Sequence, residues 1–345
     1  MKPTAKDMTR DSAMAHGPTP NAPLAGPVAS PSPVAPAAPL AKFTDPVWTA
    51  KGERRATVAF TGLSSLWINT GTLCNITCVG CYIESSPKND ALVYISRAEV
   101  AGVLAQVKAA PIVAREIGFT GGEPFMNPDF MGILSDTLAH GFEVLVLTNA
   151  MKPMQLKQAG LLELHQQYPG KLRIRVSIDH HERAKHEEIR GANTWQPAIT
   201  GIAWLSQNGF DLAIAGRLLW SENEAELRAG YQRFFDRHGV RLDAGDPVRL
   251  VLFPEMNNSA DVPEITESCW GILKKSPDDV MCASSRMVVK RKGASAPVYV
   301  ACTLIPYDDR FDMGATLEAA SRPVSLNHRH CAKFCVLGGA SCSAR

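Results

Sequence analysis

Residues 66–81 read Leu-Trp-Ile-Asn-Thr-Gly-Thr-Leu-Cys-Asn-Ile-Thr-Cys-Val-Gly-Cys. A short apolar run ends at Asn69, and the loop after it delivers Cys74, Cys78 and Cys81 with the spacing Cys-x3-Cys-x2-Cys. Three thiolates on one short loop can converge on one metal centre. Structural zinc takes four protein ligands and closes its coordination sphere. A 4Fe-4S cluster accepts three thiolates and leaves one iron open, so the ligand count favours iron–sulfur over zinc or chance spacing.

Outward from this loop, apolar segments alternate with amphipathic ones. Strands are predicted at 66–69, 116–120, 143–148, 173–178, 212–217 and 249–253, and helices at 97–109, 129–140, 155–167, 195–207 and 222–238. In the first helix Val100, Val103, Leu104 and Val107 recur at intervals of three to four. Ser96 and Glu99 make a capping box at its start. Asn127 and Pro128 supply an N-cap and first-turn pair for the second helix. Repeated strand–helix units demand a parallel sheet with right-handed crossovers. Six units are too few for the closed eight-stranded barrel. The predicted fold is therefore α/β, a partial (β/α)6 TIM-like barrel followed by a small cysteine-rich C-terminal domain. A flat doubly wound sheet is the alternative.

The flanks differ in character. Between residues 17 and 41 the chain has eight Pro and seven Ala, so residues 1–47 read as an extended Pro/Ala-rich tail. The barrel is assigned to 48–256 and the C-terminal domain to 257–345. In that last segment, 287–290 and 298–301 form a predicted hairpin turning through 292–295. Lys and Arg total 36 against 34 Asp and Glu, a net charge of +2, which gives no bulk signal for nucleic acid or a membrane surface. No apolar run reaches the roughly 18–20 residues of a membrane span. The first residues lack a secretory h-region. The protein reads as cytoplasmic, where nine cysteines point to metal or redox chemistry rather than disulfides.

From about residue 66 to 254 the chain resembles the radical S-adenosylmethionine (radical SAM) superfamily. The resemblance rests on the cysteine triad and on Gly121-Gly122-Glu123-Pro124 after the second strand. It extends to Thr148-Asn149-Ala150 after the third, Ser177-Ile178-Asp179 after the fourth, Arg190-Gly191, Arg217 after the fifth, and Asn223. It implies a 4Fe-4S cluster on Cys74, Cys78 and Cys81, with SAM bound beside it. It implies that the turn Gly121, Gly122, Glu123 and Pro124 meets the methionine amino group. Glycines let a backbone approach closely, and a carboxylate pairs with an ammonium. Asn149 joins the cofactor-binding set, Ser177 and Asp179 hold the ribose, and Arg217 faces the SAM carboxylate or else solvent. Relatives often carry an aromatic residue or His before the third cysteine. Gly80 stands there in this chain, so adenine packing falls to Tyr82 or to the sixth strand (Leu252, Phe253).

Beyond residue 265 lie six of the nine cysteines. Cys282 and Cys302 bracket the hairpin, and Cys331-x3-Cys335-x6-Cys342 follows. This arrangement resembles the SPASM and Twitch extensions, which implies a second 4Fe-4S cluster drawing on Cys282, Cys302, Cys331, Cys335 and Cys342. Zinc on the same thiolates and buried free thiols are the competing readings, and Cys269 beside Trp270 reads as a core thiol. Arg286, Lys290, Arg291 and Lys292 form a basic hairpin, either a solvated face or a dock for an acidic electron donor such as flavodoxin or ferredoxin. His180, His181 and His186 are a proton donor set or the surface of a loop.

The family supplies the expected chemistry: reductive cleavage of SAM to a 5′-deoxyadenosyl radical, then hydrogen abstraction from a peptide or protein side chain. A small-molecule biosynthetic substrate is the alternative. An iron–sulfur electron carrier or scaffold and a zinc-stapled binding module are the non-enzyme alternatives. No catalytic residue is singled out beyond the cofactor ligands.

Overall fold

The computed structural model describes residues 40–110, 114–255 and 261–339. In chain order these form β1 (Thr57–Val58), β2 (Ser65–Asn69), α1 (Arg97–Ala109), β3 (Glu116–Thr120), α2 (Phe130–Ala139) and β4 (Glu143–Thr148). Next come α3 (Lys152–Gln155), α4 (Gln158–Gln167), β5 (Leu172–Ser177), α5 (Arg183–Arg190), α6 (Trp195–Gln207), β6 (Asp211–Leu218), α7 (Glu224–His238) and β7 (Leu250–Pro254). The last strands are β8 (Ser285–Val289), β9 (Val298–Val300), β10 (Asp312–Gly314) and β11 (Val324–Ser325).

Strands β2 to β7 lie side by side in sequence order, every neighbouring pair parallel. Helices fill each connection, so the six predicted βα units are present and form a partial barrel. The strands read as apolar runs because both faces are covered: β2 and β3 are buried at every position. Gly118 in β3 is required by its neighbour, since a Cβ there would stand 2.6 Å from the buried Trp67 ring.

Local signals held where packing agreed with them. The Ser96–Glu99 capping box opens α1. The cap of α2 differs from the expected one: Asp129 is the N-cap. Asn127 still accepts the Asp129 N–H at Oδ1 (2.9 Å), and its Nδ2 donates to the carbonyls of Thr70 and Ile95, tying the helix entry to the end of β2. The single helix predicted at 155–167 starts earlier and splits into α3 and α4, because Pro153 sets a first turn at Lys152. Helix α5 is not among the predicted helices. Its sequence is mostly charged, and only His186 and Ile189 are buried.

The cysteine-rich C-terminal region is joined to the barrel through its sheet. Beyond residue 256, β8 pairs parallel with β2, β9 antiparallel with β8, and β10 antiparallel with β9. These strands extend the barrel sheet to nine, in the order β10-β9-β8-β2-β3-β4-β5-β6-β7. The expected tail boundary also moves. Residues 1–39 lie outside the described residues, but Phe43 already donates its N–H to Glu264 (2.7 Å) and Asp45 caps the N–H groups of Val47 and Trp48.

Arg55 holds this region together. Its buried guanidinium donates to the carbonyls of Asp45, Trp48 and Leu326 and to Glu264 Oε1 (2.6 Å). Burial raises the Glu264 pKa, but the N–H groups of Ala50 and Phe43 and the Arg55 charge outweigh it and leave it below the usual value. A carboxylate so depressed stabilises the fold above its unfolded pKa, and this contribution is lost as pH falls through the folded one. Glu264→Ala strands a buried cation, and a loss of about 3–5 kcal/mol is expected from denaturant titration at neutral pH.

Candidate functional site

The site starts from a close approach of two backbones at the C-terminal ends of β2 and β3. Thr70 donates its N–H to Thr120 O (2.8 Å), Gly122 to Gly71 O (2.8 Å) and Glu123 to Leu73 O (3.2 Å). Gly121 has φ +145°, and a Cβ on Gly122 would stand 2.1 Å from Leu73 O. Only glycine permits this contact. It seats the start of the cysteine loop, whose Cys74 N–H then reaches Ser86 O (3.1 Å). The loop tip is held from the far side, where Val79 donates to Ile189 O in α5 (2.7 Å).

Cys74, Cys78 and Cys81 line one cavity. Three thiolates on one cavity are the donor set of a cluster that leaves one metal position without a protein ligand. Burial pushes the Cys74 thiol up to about 12, and it raises Cys78 against the nearby Arg190 charge. Buried thiols of this kind ionise when a metal takes them.

The strand ends supply the polar wall. Asn149 lines the cavity, and its Nδ2 donates to Asn75 Oδ1 (2.9 Å) beside Cys74. Ser177 lines it from β5, as expected. Asp179 reaches the same cavity, and its oxygens face two guanidinium groups. They pair with Arg190 Nε (2.7 Å) and Arg217 Nε (3.2 Å). Arg217 lines the cavity and lies against the Val79 and Gly80 carbonyls at 3.4 Å. Tyr82 and Phe253 bring aromatic faces to the cavity, whereas Leu252 packs against the core.

Glu123 departs from the expected role. Its side chain is turned inward and is 1 % exposed. Oε1 accepts from Thr148 Oγ1 (2.8 Å) and from the Phe125 N–H (3.3 Å), and Oε2 accepts from the Asn149 N–H (2.9 Å). Burial raises its pKa to about 7 against these hydrogen bonds. The carboxylate joins the ends of β3 and β4, while Pro124 sits in the turn that follows. Among the cavity residues that the sequence reading missed is buried Arg175, two positions before Ser177 and so on the same face of β5.

Cys302 and Cys335 pack against the apolar cluster that contains Leu304 and Phe334. Burial and then the neighbouring Cys302 push Cys282 up to about 12, and burial and then Cys282 do the same to Cys331. Cys335 follows one turn later in the π-helical segment Cys331–Leu337. Cys342 lies outside the described residues. Leu304 and Phe334, each beside these cysteines in sequence, line the same cavity as Cys74. Cys269 Sγ accepts from the Thr266 N–H (3.4 Å), a local structural contact.

The basic hairpin is neutralised. Arg286 is buried and donates to the carbonyls of Ala320, Cys282, Ser285 and Arg322. Lys290, Arg291 and Lys292 pair with Glu99, Asp312 and Asp90. The histidines are not a surface loop: His180 is buried with Nε2 on Glu222 Oε2 (2.9 Å), and His186 is buried against Trp195. None of the three lines the cavity.

Residues 68–229 match the radical SAM superfamily. The chain carries a radical SAM domain. Members of this superfamily use a 4Fe-4S cluster and SAM, and the cysteine-rich C-terminal region is consistent with the extensions found on some of them. Over 143 residues the chain is 30% identical to the antilisterial bacteriocin subtilosin biosynthesis protein AlbA of Bacillus subtilis, covering 41% of this chain and 30% of AlbA. Over 169 residues it is 25% identical to the mycofactocin maturase MftC of Mycobacterium ulcerans, covering 49% of this chain and 43% of MftC. The chain thus spans less than half the length of either relative. Streptococcus suis SuiB, solved bound to S-adenosylmethionine, shares the fold with a TM-score of 0.52 at 12% identity, over 74% of this chain and 64% of SuiB.

Gly122→Ala must displace the Leu73 carbonyl and with it Cys74. Iron retained after anaerobic reconstitution is expected to fall several-fold, with a stability loss of about 1–3 kcal/mol in a parallel melt.

Proposed function

We propose that the protein is a radical SAM enzyme that cleaves SAM reductively and takes a hydrogen atom from a peptide or protein side chain. The observation that carries this reading is one cavity that receives the cysteine triad, the Gly121–Gly122 turn, the ends of β4 to β6, and Leu304 and Phe334 of the C-terminal region. When bound there, the cluster and SAM supply the 5′-deoxyadenosyl radical; the protein's part is to position and to shield.

In this reading Cys74, Cys78 and Cys81 hold three irons and leave one for SAM. The Gly121 and Gly122 backbone lets the amino end of SAM come close, and Glu123 keeps that turn in register with Asn149. Arg217, aligned by Asp179 and Arg190, takes the SAM carboxylate. Ser177 takes a ribose hydroxyl, and Tyr82 and Phe253 pack the adenine. Cys282, Cys302, Cys331, Cys335 and Cys342 serve a second cluster. Phe334, stacked on Phe253 with centroids 5.6 Å apart, keeps water from the cavity on that side. Among the described residues no helix is long and apolar enough to cross a membrane, and the chemistry suits the reducing cytoplasm.

A peptide substrate is supported by similarity to AlbA, a protein of bacteriocin biosynthesis, and to the maturase MftC. With SAM and dithionite, the reconstituted protein is expected to release 5′-deoxyadenosine, read by mass spectrometry. Cys78→Ala should release none. Equal product from both proteins, or no SAM binding by iron-loaded wild type, would sink the proposal.

A further inference from the structure

Reductive cleavage needs one electron from outside the chain. The basic hairpin offers its carrier little free charge, because Arg286 is buried and Lys290, Arg291 and Lys292 are paired with Glu99, Asp312 and Asp90. A different surface lies beside the triad. Asn75, Phe125, Met126, Lys152, Pro153, Leu156 and Lys157 line a groove in which no carboxylate takes part. Lys152 and Lys157 are exposed, and no ion pair engages either of them among the described residues. Between them Leu156 is 72 % exposed, a large apolar side chain on the connection between α3 and α4.

The groove reaches the metal site through short steps. Asn75 is the covalent neighbour of Cys74, and its Oδ1 lies 3.9 Å from Cys74 Sγ. Its Nδ2 lies 3.9 Å from Met151 Sδ, the residue before Lys152. A partner seated on Leu156 is therefore separated from a cluster ligand by a single residue. None of the groove's lining residues lines the cavity that holds the triad.

We propose that the Lys152–Leu156–Lys157 groove is the docking surface for an acidic one-electron carrier protein. Leu156 supplies the apolar centre, and the two lysines supply the charge complementary to an acidic rim. Such a pair of charges steers encounter and fixes orientation, and salt weakens it. The carrier loses one electron, the cluster held by the triad gains it, and no atom or proton crosses the interface. This assignment rests on the proposed function for its purpose, but its geometry does not.

The test uses reconstituted holoprotein and a purified acidic flavodoxin as probe. Binding is read by fluorescence anisotropy of labelled flavodoxin, beside flavodoxin-driven and dithionite-driven release of 5′-deoxyadenosine. The double variant Lys152→Glu/Lys157→Glu is expected to raise the flavodoxin Kd at least about tenfold and to abolish its salt dependence. Flavodoxin-driven release should fall with binding, while dithionite-driven release stays unchanged. Wild type that fails to bind flavodoxin overturns the assignment, and so does a double variant that binds as wild type does. Equal loss with both reductants also overturns it, since the lysines would then support the fold. Salt-sensitive, lysine-dependent binding to a wild type that never cleaves SAM would instead overturn the proposed function and leave the surface standing.

Discussion

The site depends on one backbone contact, the crossing of Gly121-Gly122 over residues 70–73. With no side chain on either glycine, two strand ends approach until their peptide groups bond directly. The cysteine loop inherits its starting direction from that contact. Glu123 inherits its buried position beneath it, and through Glu123 the ends of β3 and β4 share one carboxylate. A peptide turn thus does what a longer side-chain network would do less rigidly. It sets several site residues by the geometry of the main chain, which costs little conformational entropy to hold once the strands are paired.

The arginine cluster completes the frame from the opposite side. Asp179 draws Arg190 and Arg217 together, and Arg217 leans on the carbonyls of Val79 and Gly80. Burial would disfavour Arg190 as a cation, yet the facing carboxylate more than offsets it and holds its pKa above the ordinary value. The loop that carries the triad is therefore gripped by hydrogen bonds at its root and by charge at its tip. Gly80 has φ +66°, and a Cβ there would lie in ordinary contact, 3.4 Å, with the Arg217 guanidinium.

The barrel was legible because its signals are local. Fully apolar strands, amphipathic helices and the Ser96–Glu99 box each reflect the chain's own periodicity, and packing had no reason to override them. Charge obscured α5: its helix is stabilised by two buried residues and by contacts with the cysteine loop, which no window of its own sequence contains. The placement of β8 beside β2 was hidden for the same reason, since strand partners far apart in sequence leave no mark in either strand. At the site, residue types were readable but their orientation was not. Glu123 and Asp179 have the chemistry expected of ligand contacts, yet nearby donors claim them. Arg175 could have been found by alternation from Ser177, because a cation on the inner face of a parallel strand is itself a signal.

Phe334 and Leu304 close a cavity whose first wall is laid down at Cys74. During synthesis the chain must therefore travel some way past residue 300 before the chamber has its last side. A cluster assembled on the triad before then would face solvent through that gap, exposed to oxygen. The order of residues along the chain acts as a timer: metal loading is safest after translation has passed Phe334, when the fold can shelter what it holds.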